Sequence, residues 1–399
     1  MLRSSVLVVV LLCQQLFGIP LFSDRNLTVQ SARASEKTAS GEAVLKPRLL
    51  QDGNLGMVVF MLEGKDKSEE EWKDALRQMH SWGVKIVEIG QIAWADTETE
   101  PGKYDWTYAK KVLKINKEED LGFVFVADIG MFINPGLNGK PKLPKHLKNL
   151  PFDDPQVIKA LSDLYKSFFD LEGSQSLKYL FQHFENADDS FKKKEADRAR
   201  VKKLLKKSFI AAKKIRPDIK TGVCIESYKD PHYPAHMIKD WNTDIDTDVL
   251  PVISFGPNHF EKNAEADFEK LLKLAAGKPI ALNEFWYHSS KKADSSPEKQ
   301  AQFVKEMYAL LKKHHRDIEF ATWYEYKDLG WFTANFIGAY LSVICLNPLL
   351  AGVFKDRMGS CGMIDNKGKE KPALKVWKEE ARKYYEFREK EKKERKIQN

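Results

Sequence analysis

Pro279-Ile-Ala-Leu-Asn-Glu-Phe-Trp-Tyr287 runs from a short apolar stretch into a carboxylate flanked by an asparagine and two aromatics. The apolar part reads as a buried strand. Glu284 does not fit the interior of one, because an unpaired buried carboxylate is costly. It is either paired structurally, or at a strand end meeting solvent, or held at the mouth of a cavity for chemistry. The last reading needs a partner. Lys178-Tyr-Leu-Phe-Gln-His-Phe-Glu185 offers one, a second strand pattern that ends on an acid.

Outward from these two stretches the chain keeps a steady beat. Strands are expected at 55–60, 84–89, 121–127, 177–184, 220–225, 249–255, 280–283 and 319–323. Helices fall between them at 68–82, 106–119, 154–172, 192–216, 265–276 and 297–315, with a short helical piece at 234–241 and a closing helix at 372–386. Ser68 with Glu71 three residues on has the form of a capping box, and Gly83 ends that helix. Strand–helix–strand repetition implies right-handed crossovers and a parallel sheet. Eight such units make an α/β fold of the (β/α)8, or TIM barrel, type in a single domain over 51–386. An open doubly wound sheet is the competing architecture, but the chain has no Gly-x-Gly-x-x-Gly and no phosphate-loop motif. Long loops are expected after strand 3, at 130–155, and after strand 8, at 329–371.

The bulk numbers agree. The chain has 399 residues, 43% hydrophobic and 31% charged, with a formal charge of +8, which suits a globular protein with a sizeable core. Residues 1–19 read as a secretory signal peptide: Arg3, then an apolar core from Val6 to Leu12 that is too short for a good membrane span. Residues 20–50 read as a flexible leader carrying a glycan acceptor triplet at Asn26-Leu-Thr28. The expectation is a secreted glycoprotein with no stable membrane span after signal cleavage. Cys224, Cys345 and Cys361 then remain, too few and too far apart for a disulfide framework or a sequence-encoded zinc motif. Cys345 and Cys361 can pair across a loop, and Cys224 reads as a buried thiol. Residues 387–399 form a charged tail of mixed sign that reads as a fraying helix end. The lysine-rich run 192–214 reads as the solvated face of an amphipathic helix. Neither segment has the interleaved aromatics of a nucleic-acid surface, so no nucleic-acid partner is expected.

In a barrel of this kind the groups that do chemistry sit at the carboxyl ends of strands. Glu185 ends the fourth and Glu284 the seventh. Two carboxylates facing one cleft can break an acetal: one protonates the leaving oxygen, the other attacks or stabilises the oxocarbenium-like centre. Trp94, Trp286, Trp323 and Trp331 fall near strand ends, where aromatic rings can stack on a sugar. Asp128, His183, Asn186, Glu226, Asn283 and Tyr287 can hydrogen-bond hydroxyls or serve as further acids. No His-x-x-x-His pair joins His183 to Glu185, so no metal is expected, and no organic cofactor either.

These residues resemble the clan A retaining glycoside hydrolases. Trp94 through Glu100-Pro-Gly-Lys-Tyr-Asp-Trp106 is similar to the signature after the second strand. Glu185 matches the fourth-strand acid/base position, and Asn283-Glu284-Phe285 the seventh-strand nucleophile motif. Trp323 matches the eighth-strand tryptophan that floors the sugar site, and Gly362 to Ala373 resembles a segment before the last helix. One position departs: the clan carries Asn directly before its acid/base, and this chain carries Phe184. The resemblance implies a secreted glycosidase that cleaves a β-linked oligo- or polysaccharide by double displacement. The departure keeps open a second reading, a carbohydrate-binding barrel with weak or no catalysis. The positive net charge leaves an acidic polysaccharide as one candidate substrate.

Overall fold

The computed structural model describes residues 54–60, 68–130, 143–183, 195–226, 239–253, 256, 263–330, 334–335, 355–357 and 359–398. Eight parallel strands alternate with helices. They are β1 (Asn54–Phe60), β2 (Ile86–Ala93), β3 (Val124–Gly130), β4 (Leu177–His183), β5, β6 (Leu250–Ile253), β7 (Ile280–Phe285) and β8 (Ile318–Trp323). Strand β5 is two segments, Lys220–Val223 and Ile225–Glu226, joined at Cys224. The first segment pairs with β4 and the second with β6. Each other strand pairs in parallel with its neighbours in sequence, and β8 returns to β1, Asn54 opposite Phe320. The sheet therefore closes into the expected barrel.

The helices are α1 (Glu69–Ser81), α2 (Thr107–Glu118), α3 (Pro155–Phe169), α4 (Glu195–Ile215), α5 (Ala264–Ala275), α6 (Pro297–Lys313) and α7 (Pro372–Gln398). Their starts are encoded locally. Ser68 and Glu71 form the reciprocal capping box, and Asp154 and Ser296 cap helices that begin on proline. The short helical piece expected at 234–241 falls partly outside the described residues, as do the tips of both long loops.

Two apolar layers result from the period-two alternation of the strands. The outer one packs the sheet against the helices and includes Trp72, Leu113, Tyr165, Phe285, Trp323 and Trp377. The inner one fills the lumen with Ile86, Val126, Tyr179, Phe181, Ala281 and Phe320. Phe181 and Phe320 stack with centroids 5.9 Å apart. Beside them Tyr179 Oη donates to Glu319 (2.8 Å), which Lys220 also holds.

The last helix ties the two ends of the barrel sequence. Trp377 Nε1 donates to Trp82 O (3.1 Å), and Tyr385 Oη donates to Gly83 O (3.0 Å). It does not stop near 386, as the charged composition led us to expect. It runs to Gln398, and Glu391 gathers His315 (2.8 Å), Arg316 (3.2 Å), Arg388 (3.1 Å) and Arg395 around one carboxylate. Burial pushes the Glu391 carboxyl up, and the hydrogen bonds and charge gathered around it outweigh that and hold it at about 2. A network of this kind keeps a helix end docked where isolated surface pairs would not.

Candidate active site

Five lumen positions take the next step up from the inner apolar layer. Two residues after Ile86, Val126, Phe181, Ala281 and Phe320 come Glu88, Asp128, His183, Asn283 and Thr322. Alternation directs all five to the same inner face, so an apolar floor carries a buried polar layer toward the carboxyl ends of the strands. Carboxylate oxygens of Glu88, Asp128 and Glu284 lie within 4.8 Å of one another. Donor atoms of Asp128, His183 and Cys224 satisfy the same limit. Asn283 Nδ2 donates to Glu88 Oε1 (3.0 Å), Thr322 Oγ1 donates to Glu88 Oε2 (3.3 Å), and His183 Nδ1 pairs with Asp128 Oδ2 (2.8 Å).

Glu284 stands out within this layer. It is 6% exposed, and its φ of 152° lies where side-chain-bearing residues seldom go. The β7–β8 pairing shifts register between Leu282 and Phe285, so the strand continues past 283 through a local irregularity. Backbone strain of this sort costs on the order of 1–3 kcal/mol and survives where surrounding structure enforces it, commonly at functional sites.

Close packing of acids sets the electrostatics. Burial, then the charges of Asp128 and Glu284, raise the Glu88 carboxyl well above the ordinary range, against opposition from His183 and Asn283. Burial works to lower the His183 imidazole, but the charge and hydrogen bond of Asp128, with a contribution from Cys224, carry it well above its usual value. Burial, and next the Asp128 charge, push the Cys224 thiol up. The layer can hold protons, and its N, O and S donors can also hold a cation.

A pH dependence follows. Glu88 and His183 both bind their proton more tightly in the folded chain than in the unfolded one. Their stabilisation is complete below the unfolded values, about 4.3 and 6.5, and is lost as pH rises through the folded values. Stability is therefore expected to fall as pH rises above those unfolded values, first through Glu88 and above about 6.5 through His183 as well, by at most about 1.4 kcal/mol per pH unit for each group. Glu88→Gln should flatten that slope in urea-unfolding midpoints; an unchanged slope would show that Glu88 is not the proton carrier.

The other expected site residues divide by place. Trp286 is half-buried, 6.5 Å from Tyr324 between ring centroids, so these two aromatics stand together just past β7 and β8. Tyr287 is buried against Phe303 at 4.9 Å in the outer layer. Trp94 is fully buried and donates from Nε1 to Glu98 Oε2 (2.7 Å), while Glu98 Oε1 accepts from Gly102 N (3.0 Å). The signature around Glu100-Pro-Gly thus builds a stapled hairpin, Glu98–Glu100 against Lys103–Tyr104. Trp323 is a correction. Its neighbour Thr322 takes the lumen face, so the indole turns outward, donates to Cys361 O (2.9 Å) and meets Phe285, Phe303 and Trp377. A ring in that position does not floor a sugar at the barrel mouth.

Glu185, Asn186 and Trp331 lie outside the described residues, and Glu226 is described only as the end of β5. Of the expected cysteine pair, Cys345 is also outside, while Cys361 is a free, buried thiol. Glu88 escaped the sequence reading, although a lone acid inside the apolar run Val84–Ile89 is the same signal that singled out Glu284.

Comparison with known proteins agrees with this architecture. The family model described as beta-galactosidase (Glyco_hydro_42) matches residues 64–127, the segment that holds the Trp94–Trp106 signature. No curated protein matches the chain by sequence. Solved structures do match in fold. A GH5_18 protein from Streptomyces cattleya in complex with GlcNAc is similar at TM-score 0.58 and 13% identity, covering 84% of this chain and 81% of that one. A GH5_18 protein from Bifidobacterium longum subsp. longum in complex with Manβ1-4GlcNAc gives 0.59 and 15%, covering 84% and 79%. An exo-β-1,4-mannosidase from Opitutaceae bacterium strain TAV5 gives 0.58 and 16%, covering 84% and 60%. The barrel is thus of the kind found in clan A glycoside hydrolases.

Proposed function

We propose that this protein is a secreted retaining glycoside hydrolase acting on a β-linked oligo- or polysaccharide. The observation that carries the reading is Glu284: a buried carboxylate on a strained backbone at the carboxyl end of β7, inside a polar layer that sits on an apolar floor. In the reaction, a Glu284 oxygen forms a bond to the anomeric carbon as the glycosidic C–O bond breaks. Glu185 gives its proton to the departing oxygen, then takes one from the water that displaces Glu284. Trp286 and Tyr324 are the aromatic pair best placed to stack on the sugar. Export rests on the apolar run within residues 1–19.

The charge of the polar layer bears on substrate choice. A uronate bound against Glu284 would face three acids, Glu88, Asp128 and Glu284, so a neutral sugar is favoured there despite the chain's net charge of +8. Similarity to proteins described with β-mannosyl ligands puts β-mannosides first in a substrate panel, followed by β-galactosides, β-glucosides and β-glucuronides. A matching 2-deoxy-2-fluoro glycosyl fluoride should trap the intermediate and add its glycosyl mass to the peptide containing Glu284. Labelling of another carboxylate would move the nucleophile elsewhere. The second reading, a binding barrel without efficient catalysis, is motivated by Phe184 in place of asparagine. Oligosaccharide binding with no product from any panel member would select it.

A further inference from the structure

Asp128, His183 and Cys224 come from three consecutive strands, β3, β4 and β5, and all three are buried. His183 Nδ1 is 2.8 Å from Asp128 Oδ2, Cys224 Sγ is 4.0 Å from Asp128 Oδ1, and one donor atom from each residue lies within 4.8 Å of the others. A second, independent feature adjoins them. Asn283 is wholly buried, and its Nδ2 is 3.9 Å from the Cys224 sulfur and 3.0 Å from Glu88. Among the described residues its carbonyl oxygen has no hydrogen-bond partner. A buried acceptor left unmatched costs about 1–3 kcal/mol. The two ends of a carboxamide are interchangeable by rotation, which would bring that oxygen to the sulfur in exchange for the Asn283 Nδ2 hydrogen bond to Glu88.

We propose that Asp128, His183 and Cys224 bind one divalent transition-metal ion of the zinc class, with the Asn283 carboxamide oxygen as fourth donor. Zinc bonds of about 2.0–2.3 Å in a tetrahedron set donors roughly 3.3–3.7 Å apart. The 2.8 Å from His183 to Asp128 Oδ2 and the 4.0 Å from Cys224 to Asp128 Oδ1 lie either side of that spacing, and all three residues offer an atom within 4.8 Å of the others, so the site forms by side-chain adjustment, with the ion replacing the His183–Asp128 hydrogen bond. Binding releases to solvent both the Cys224 thiol proton and the His183 proton now held against Asp128, and involves no redox step. One thiolate and one carboxylate then neutralise the ion, which suits a dry interior. The neighbouring set Glu88, Asp128 and Glu284 offers oxygen alone and would suit magnesium, calcium or manganese; the thiol is what selects zinc. Four protein donors make a closed site, so the ion pins four strands, β3, β4, β5 and β7, beneath the mouth and leaves Glu284 to the substrate.

The test is metal content and spectroscopy of the full chain, independent of any hydrolysis. Protein made in zinc-supplemented medium and dialysed should retain about one equivalent. Protein made with cobalt should show the visible bands of a tetrahedral ion and a thiolate-to-cobalt charge-transfer band. Cys224→Ser should lose that band and weaken binding by more than the about 10–100-fold typical of an outer-shell partner; Cys224→Ala, checked for folding by near-ultraviolet circular dichroism, should do the same. Folded wild-type protein with under a tenth of an equivalent, after growth and refolding with zinc, would overturn the proposal. So would metal retained in full by both Cys224 variants, or an ion lost on Glu88→Gln but not on Cys224→Ser.

Discussion

Glu284→Gln is expected to lower kcat on a β-glycoside by at least about 10³-fold while leaving the protein folded. The substitution keeps the size of the side chain and removes the nucleophilic oxygen, so the covalent step has no substitute group. Its effect on stability should be neutral or favourable. Wild-type Glu284 crowds two other buried acids within 4.8 Å and holds a φ of 152°. Like charges at that range disfavour one another. Glu284→Gly, which also relieves the backbone, should be the more stable of the two variants and equally inactive. Turnover within tenfold of wild type in Glu284→Gln would remove Glu284 from the chemistry. Loss of turnover together with a large loss of unfolding free energy would make the residue structural instead.

Strand order, barrel closure and the place of Glu284 were legible because each has a local cause. Apolar runs of strand length, helix caps such as Ser68 and Asp154, and a steady alternation leave little freedom in topology. The faces of the strands were not legible. Alternation says that Thr322 and Trp323 point opposite ways, but not which of them meets the lumen. An aromatic at a strand end therefore looked like a sugar platform when it belongs to the helix layer. The same ambiguity hid Glu88, whose inward direction appears only once its register above Ile86 is known. Glu284's backbone could not be read either, since its φ occurs at a register shift against β8 and nothing in its own residue type calls for it. The charged tail misled for a different reason: composition shows that its surface is wet, not that four basic side chains converge on Glu391.

Trp323 and the pair Trp286–Tyr324 separate packing from recognition, and they are expected to respond in opposite ways. Trp323 is fully buried, with its ring 5.3 Å from Phe285, 5.9 Å from Phe303 and 6.4 Å from Trp377. Truncation to alanine removes those contacts, leaves a cavity and takes away one of the two donors to the Cys361 carbonyl, the other being Gln300 Nε2. A cost of about 3–5 kcal/mol is expected, read as a shift of the urea midpoint. Trp323→Phe keeps most of the apolar volume, should cost less, and should leave KM within about twofold because the ring never meets the sugar. Trp286→Ala, at a half-buried position beside the mouth, should do the reverse: KM up by about tenfold, the value of roughly 1.4 kcal/mol of lost stacking, with little change in unfolding free energy. The comparison decides between two physical assignments of the same aromatic-rich stretch. If Trp323→Phe raised KM tenfold at unchanged stability, the indole would have to reach the substrate, and the outward orientation of β8 at residue 323 would be wrong.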